Sequence, residues 1–187
     1  MDAAPPYLSG QFLLAMPGMG DPRFAGSVIA MCVHDPAGAL GLCLHQANRE
    51  LTVPELMRQL EIDPGGTPEV RVLVGGPVEP GRGFVLHSTD YAGQDTRFVG
   101  NRWALTGTLD VLKAIAGGEG PAKWLVALGY AGWGPGQLED ELGQHGWHVH
   151  PGEDTLLWNC RAERRWTEAW GLTGIDLRHL SASAGRA

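Results

Sequence analysis

The sequence predicts an α+β fold built on a mixed sheet, and three observations carry that prediction. Short apolar runs bounded by turn residues read as strands, capped segments with a helical apolar period read as helices, and the two kinds do not strictly alternate. Hydrophobic residues are 43% of the 187 and charged residues 19%, which is enough for a core, with 28 glycines and 13 prolines punctuating it. A single domain of this length buries roughly 70% of its unfolded surface and needs no disulfide or metal to fold. No repeat or low-complexity tract divides the chain, so residues 1–187 read as one domain whose folding unit is Gly10 to Leu180, with ends 1–8 and 181–187 expected to be mobile.

Taken in order, Ser27 to Val33 and Leu40 to Leu44 are apolar runs separated by Asp35-Pro36-Ala37-Gly38, a hairpin signal. Thr52 as N-cap, Glu55 completing a capping box and Leu51 with Leu56 as a hydrophobic staple predict a helix start, Pro54 being harmless in a first turn. That helix runs to Leu60 or Ile62, with Leu56, Met57 and Leu60 on one face, and stops before Asp63-Pro64-Gly65-Gly66. Arg71 to Val74 and Gly83 to His87 read as a second hairpin through Gly75 to Gly81, with Pro80-Gly81 as the centre of a type II turn. Trp103 to Leu105 is a further strand, after which Thr106 or Thr108 caps a helix ending at Gly117-Gly118. Lys123 to Gly129 is nearly continuous in apolar residues and reads as a central strand. It leads through glycines into a helix with Pro135 at its first position and a stop near Gly146. Trp147 to His150 is a strand, and Glu163 to Trp170 a last helix presenting Trp166 and Trp170 on one face.

Fourteen Lys and Arg against 21 Asp and Glu give a net charge of −7, which argues against coating a nucleic acid, because that affinity comes from basic groups displacing counterions. Direct nucleic-acid binding is therefore disfavoured. Three widely spaced cysteines, Cys32, Cys43 and Cys160, write neither a disulfide framework nor a zinc finger and fit a reducing cytoplasm. The acidic, proline-bearing start lacks a signal-peptide pattern, and no apolar run reaches the ~18 residues of a membrane span. The expectation is a cytoplasmic chain away from membranes.

The most suggestive chemistry lies at Gly129-Tyr130-Ala131-Gly132-Trp133-Gly134-Pro135-Gly136-Gln137, a glycine-rich turn leading into a helix start. Free amides and a positive dipole end would hold an anion there, although no P-loop lysine follows. The alternative is that these glycines only allow tight packing around Trp133. His148 and His150, with His145 nearby, and the pairs Cys32/His34 and Cys43/His45 have metal-like spacing, but no carboxylate completes a signature, and imidazoles on an exposed strand face are the favoured reading. His87-Ser88 with Asp90 is a neighbourhood rather than a triad, and strand-buried thiols are inert. Arg161, Arg164 and Arg165 beside Trp158 and Trp166 could meet phosphate and base, or simply form a solvated helix face. No catalytic, metal or cofactor set is assigned.

Several blocks carry a resemblance: GQFLLAMPGMGDPRF from Gly10 to Phe24, Gly75-Gly76-Pro77-Val78, Gly83 to His87, and Gly129 to Gly134 with Gln137-Leu138-Glu139. They resemble the YqgE/AlgH family of bacterial proteins, in order from about residue 8 to 185. The resemblance implies a single-domain α+β fold whose mixed, strongly curved sheet forms a pseudo-barrel with helices packed outside. It also brings the family's label of transcriptional regulator linked to alginate production, a label without a recognisable DNA-binding module behind it. Where that family usually has Asn, a basic residue and Pro, this chain has His45-Gln46-Ala47, which puts an anion-binding role of that corner in doubt.

The expected ligand-binding set is therefore Gly132, Trp133, Gly134, Gly136 and Gln137, with Gly75, Gly76 and His45. The leading reading is a binding or regulatory protein, acting through a protein partner or a small anionic ligand, with indirect effects on transcription and existing as a monomer or weak homodimer. The alternative is an enzyme or sensor for a small phosphorylated metabolite held at the Gly132 to Gln137 turn.

Overall fold

The computed structural model describes residues 7–183, with side chains through Leu180. Ten strands form one connected sheet: β1 (Gln11–Ala15), β2 (Val28–Asp35), β3 (Gly38–Cys43), β4 (Ala47–Thr52), β5 (Arg71–Val74), β6 (Val78–His87), β7 (Thr96–Val99), β8 (Trp103–Thr106), β9 (Trp124–Trp133) and β10 (Trp147–Pro151). The main order is β10-β1-β2-β3-β9-β6-β8-β7, with β5 placed parallel beside β9 and β4 paired to β5. Among the described residues six α-helices accompany it: α1 (Val53–Gln59), α2 (Asp110–Ala116), α3 (Gln137–Gly143), α4 (Asp154–Trp158), α5 (Arg165–Thr173) and α6 (Leu177–Ser183). None is long and apolar enough to cross a membrane among the described residues.

The sheet is mixed and strongly curved. β1 and β8 are five strand steps apart, which in a flat sheet would separate them by ~24 Å. Yet the rings of Phe12 on β1 and Trp103 on β8 stack with centroids 5.6 Å apart. Only a half-barrel can close that distance. Its inner face gathers Phe12, Leu14, Val28, Leu42, Leu73, Leu86 and Ala127, with Leu156, Leu157 and Trp170 of α4 and α5 packed against them. The alternate residues Leu13, Ile29 and Met31 face the other way, onto Leu138 of α3, while Val72, Val85 and Val126 meet α1 and α2. With both faces covered, the central strands read as continuous apolar runs.

Local signals set several elements as expected. The β2–β3 hairpin turns at Asp35, whose side chain accepts the Ala37 N–H at 2.8 Å. Thr52 and Glu55 form a reciprocal capping box on α1. Leu60 does not join that helix's apolar face; it caps the end and is exposed.

Three expectations are corrected. β5 and β6 are not a hairpin: β9 lies between them, parallel to β5 and antiparallel to β6, and Pro80-Gly81 lies inside a bulged β6. Neither Thr106 nor Thr108 caps α2, whose N-cap is Leu109, because the Thr106 hydroxyl pairs with His87 and the Thr108 hydroxyl with Asp110. β9 runs on through Gly129 to Trp133, and α3 begins at Gln137, so Pro135 precedes the helix. At the ends of the described chain, Leu8 is buried and its N–H donates to His34 Nδ1, and α6 continues through Ser183; residues 1–6 and 184–187, the rest of the ends expected to be mobile, lie outside the described residues.

Candidate functional site

The end of β9, the first turns of α3, the start of β10 and the segment Met19 to Phe24 enclose a groove of about 410 Å³. Leu138, buried beneath α3, anchors the helix on the sheet and turns Gln137 and Glu141, four residues apart, to one side. There one Glu141 oxygen accepts both the Trp133 indole N–H at 3.0 Å and the Trp147 indole N–H at 2.8 Å. The other oxygen accepts the Gln137 amide at 3.0 Å. The two indoles meet edge to face at 6.2 Å, and Phe24 stands edge-on to Trp147 at 5.8 Å. Met19 and Pro77 complete an apolar wall.

The groove is not electropositive. Its one guanidinium, Arg23, is paired with Asp21 at 2.7 Å, and hydrogen bonding to Arg23 holds the Asp21 carboxyl below the usual range. Glu141 faces no cation among the described residues. The arrangement therefore suits a neutral or positively charged group with an apolar body, since the half-buried Glu141 carboxylate and the ring faces both favour a cation.

The expected residue set divides in three. Gly132, Trp133 and Gln137 line the groove, with Gly134 and Gly136 in the exposed turn between Trp133 and Gln137. The turn, however, closes on itself: the Gly134 N–H donates to Gln137 Oε1 at 3.0 Å and the Gln137 N–H to the Gly134 carbonyl at 3.1 Å, while Pro135 has no N–H. Glu139 and Asp140 stand in the first turn of the seven-residue helix that follows, so two carboxylates lie close to the remaining amides of the turn. Gly75 and Gly76 sit where β5 crosses β9: the Gly75 N–H donates to the Leu128 carbonyl at 2.8 Å, and a Cβ on Gly76 would overlap the Tyr130 peptide. Their role is close backbone approach. His45 lies in a neighbouring hollow of about 370 Å³ with Arg23, Arg49 and Glu163; its Nδ1 is buried without a partner among the described residues, and burial pushes its pKa down.

Other sequence candidates resolve differently. His87 pairs with Thr106, and the Ser88 hydroxyl donates to Asp90 at 2.5 Å, so base and hydroxyl do not meet. Cys32 and Cys43 are buried with thiol pKa pushed up to about 12. His148 leans on Trp170 and His150 is buried, so theirs is no exposed face, and no group of three metal-binding side chains converges among the described residues. Arg165 corrects the solvated-face reading: it is 3% exposed and donates to the carbonyls of Leu44, Leu156 and Leu157. Sequence reasoning missed Glu141 as the hub of the groove. The signal was there in part, as two tryptophans flanking a helix need an acceptor for their indole N–H groups.

The profile of the AlgH-like family matches residues 12–178. This chain belongs to the AlgH-like family. The AlgH-like match takes in both walls of the groove, from the Met19 segment to Trp147. The chain is 56% identical over 184 residues to the UPF0301 protein of Rhizorhabdus wittichii, covering 98% of this chain and 99% of that one. Against the UPF0301 protein of Sphingopyxis alaskensis the identity is 50% over 187 residues, the whole of both chains. The solution structure of AlgH from Pseudomonas aeruginosa superimposes with a TM-score of 0.80 at 39% identity, covering 100% of both chains. A crystal structure of a Corynebacterium diphtheriae protein, at 20% identity and TM-score 0.75 over 97% of this chain and 94% of that one, shares the AlgH-like fold.

Proposed function

We propose that this chain is a cytoplasmic, non-catalytic binding protein, a monomer or weak homodimer when free, whose groove takes a neutral or basic apolar segment of a protein partner. Any effect on transcription then passes through that partner. One observation carries the reading: the Glu141 carboxylate sits between the Trp133 and Trp147 indoles on the wall of an open groove. Aromatic anchors beside a fixed acceptor are the usual makings of a recognition pocket. A phosphorylated metabolite at the Gly132 to Gln137 turn is the poorer reading, since it would face Glu141 and Asp21 with the Gly134 amide already engaged.

Photo-crosslinking side chains placed at the exposed rim residues Gln137 and Gln144, with exposed Arg97 on β7 as control, test this in cells. The expected outcome is a discrete adduct from the rim positions, absent from the control and lost in Glu141→Gln, together with altered transcripts on gene deletion. Equal labelling from all three positions and unchanged transcripts would end the proposal.

A further inference from the structure

Because β5 and β9 run parallel, their N-terminal ends lie side by side, and the end of α4 meets them. A cleft of about 330 Å³ opens there, lined by Arg71, Lys123, Trp124, Trp158 and Asn159 among others. It shares no lining residue with the groove of the proposed function. Its charged residues are Arg71 and Lys123, both exposed, and no carboxylate lines it. In a chain of net charge −7 that local sign is opposite to the whole.

Neither cation is held in an ion pair among the described residues. Arg71 gives one N–H to the Arg49 carbonyl. Among the acids outside the cleft, Glu55 feels the Arg71 charge and accepts the Thr52 N–H at 2.8 Å, and Asp90 accepts the Ser88 hydroxyl and the Ala122 N–H. Trp124 and Trp158 are half-buried, and neither their indole N–H groups nor the Asn159 amide has a hydrogen-bond partner among the described residues. At Asn159 the cleft adjoins a second hollow carrying Arg161 and Arg164.

We propose that this cleft binds a nucleoside monophosphate. The indoles take the flat base, which has a π-face whatever its identity, and the Asn159 amide faces its polar edge. Arg71 and Lys123 hold the phosphate by charge-assisted hydrogen bonds. The volume fits a small molecule, pockets for which begin at about 300 Å³. A nucleic-acid strand would need a longer run of cations and would meet the repulsion of the remaining acidic surface.

The test follows the indole N–H resonances of Trp124 and Trp158, assigned with Trp→Phe variants, during titration with AMP, adenosine and inorganic phosphate separately. Saturable shifts of both resonances are expected with AMP, tighter than with either component. Lys123→Ala, an exposed substitution that leaves the core intact, should weaken AMP by about tenfold while leaving adenosine unchanged. Trp158→Ala should weaken both AMP and adenosine; because Trp158 also packs on the core, Lys123→Ala keeps the test decisive if that variant misfolds. Absence of saturable shifts with AMP, GMP, CMP and UMP, or unchanged affinity in Lys123→Ala, would overturn the proposal. So would a single-stranded oligonucleotide that binds more tightly than AMP with a steep salt dependence.

Discussion

The Thr106 hydroxyl donates to His87 Nε2 at 2.8 Å, and this contact fixes the state of a buried imidazole. The His87 Nδ1–H donates to the Ser88 carbonyl at 2.8 Å, so the ring carries its proton there and accepts at Nε2. Behind it, Thr96 donates to Thr106 at 2.8 Å and accepts the Gly93 N–H at 2.7 Å. With the ring neutral every member of the chain is satisfied, and desolvation pushes the His87 pKa below 6.5.

Stability should therefore fall with acidification before most carboxylates titrate. The unfolded chain takes up the proton near pH 6.5 and the folded chain does so only at lower pH, so stability is present above that value and is lost as pH falls. His45 and His148, also lowered by burial, add in the same direction. Urea melts between about pH 7 and pH 5 should show this slope, and His87→Gln should flatten it. An identical slope in the variant would remove His87 as its source.

Arg165 ties the C-terminal helices to the sheet through the carbonyls of Leu44, Leu156 and Leu157 at 2.6, 2.9 and 3.1 Å. Arg165→Met leaves those acceptors without their donor in a dry site, and the expected loss is about 3 kcal/mol or more. The urea midpoint with unchanged slope measures it. A loss under about 1 kcal/mol would show that water replaces the guanidinium.

Gly76 has φ +149° and lies against the Tyr130 peptide, so Gly76→Ala introduces both strain and overlap. The expected cost is about 2–4 kcal/mol, whereas Gly81→Ala, with open space around it, should be close to neutral. Thermal unfolding of the pair reads the difference, and equal melting temperatures would refute the close approach of β5 and β9.

Cys32 and Cys43 are buried with thiol pKa near 12, while Cys160 is only partly covered. Iodoacetamide at neutral pH should add one label to the native protein, at Cys160, and three after unfolding. Intact-mass spectrometry reads the count. Native labelling of Cys32 or Cys43 would show that the sheet opens.

Much of the local structure was legible because it is encoded locally. The β2–β3 hairpin, the Thr52 and Glu55 capping box, the apolar core of β9 and the acidic balance all follow from neighbouring residues and their spacing. The sheet order was not legible, since inserting β9 between β5 and β6 depends on contacts that form only after about 50 residues of intervening chain are placed.

Polar partners followed the same division. Thr106 and Thr108 carry the sequence marks of helix caps, yet tertiary packing gave Thr106 to His87. Arg165 carries the marks of a surface cation, yet the distant Leu44 carbonyl and the nearer ones of Leu156 and Leu157 converge on it. Glu141 is one acid among three in a helix until β9 and β10 bring two indole donors to it. Sequence alone determined most of the strands and helices, though not β1, β4, β7, α4 or α6, and which surface sign dominates, because periodicity, caps and charge act at short range. Only the curled sheet decided which polar groups meet and where grooves open, because burial and hydrogen-bond partnership depend on how whole elements pack, even where, as at Glu141, the partners are only six and eight residues away.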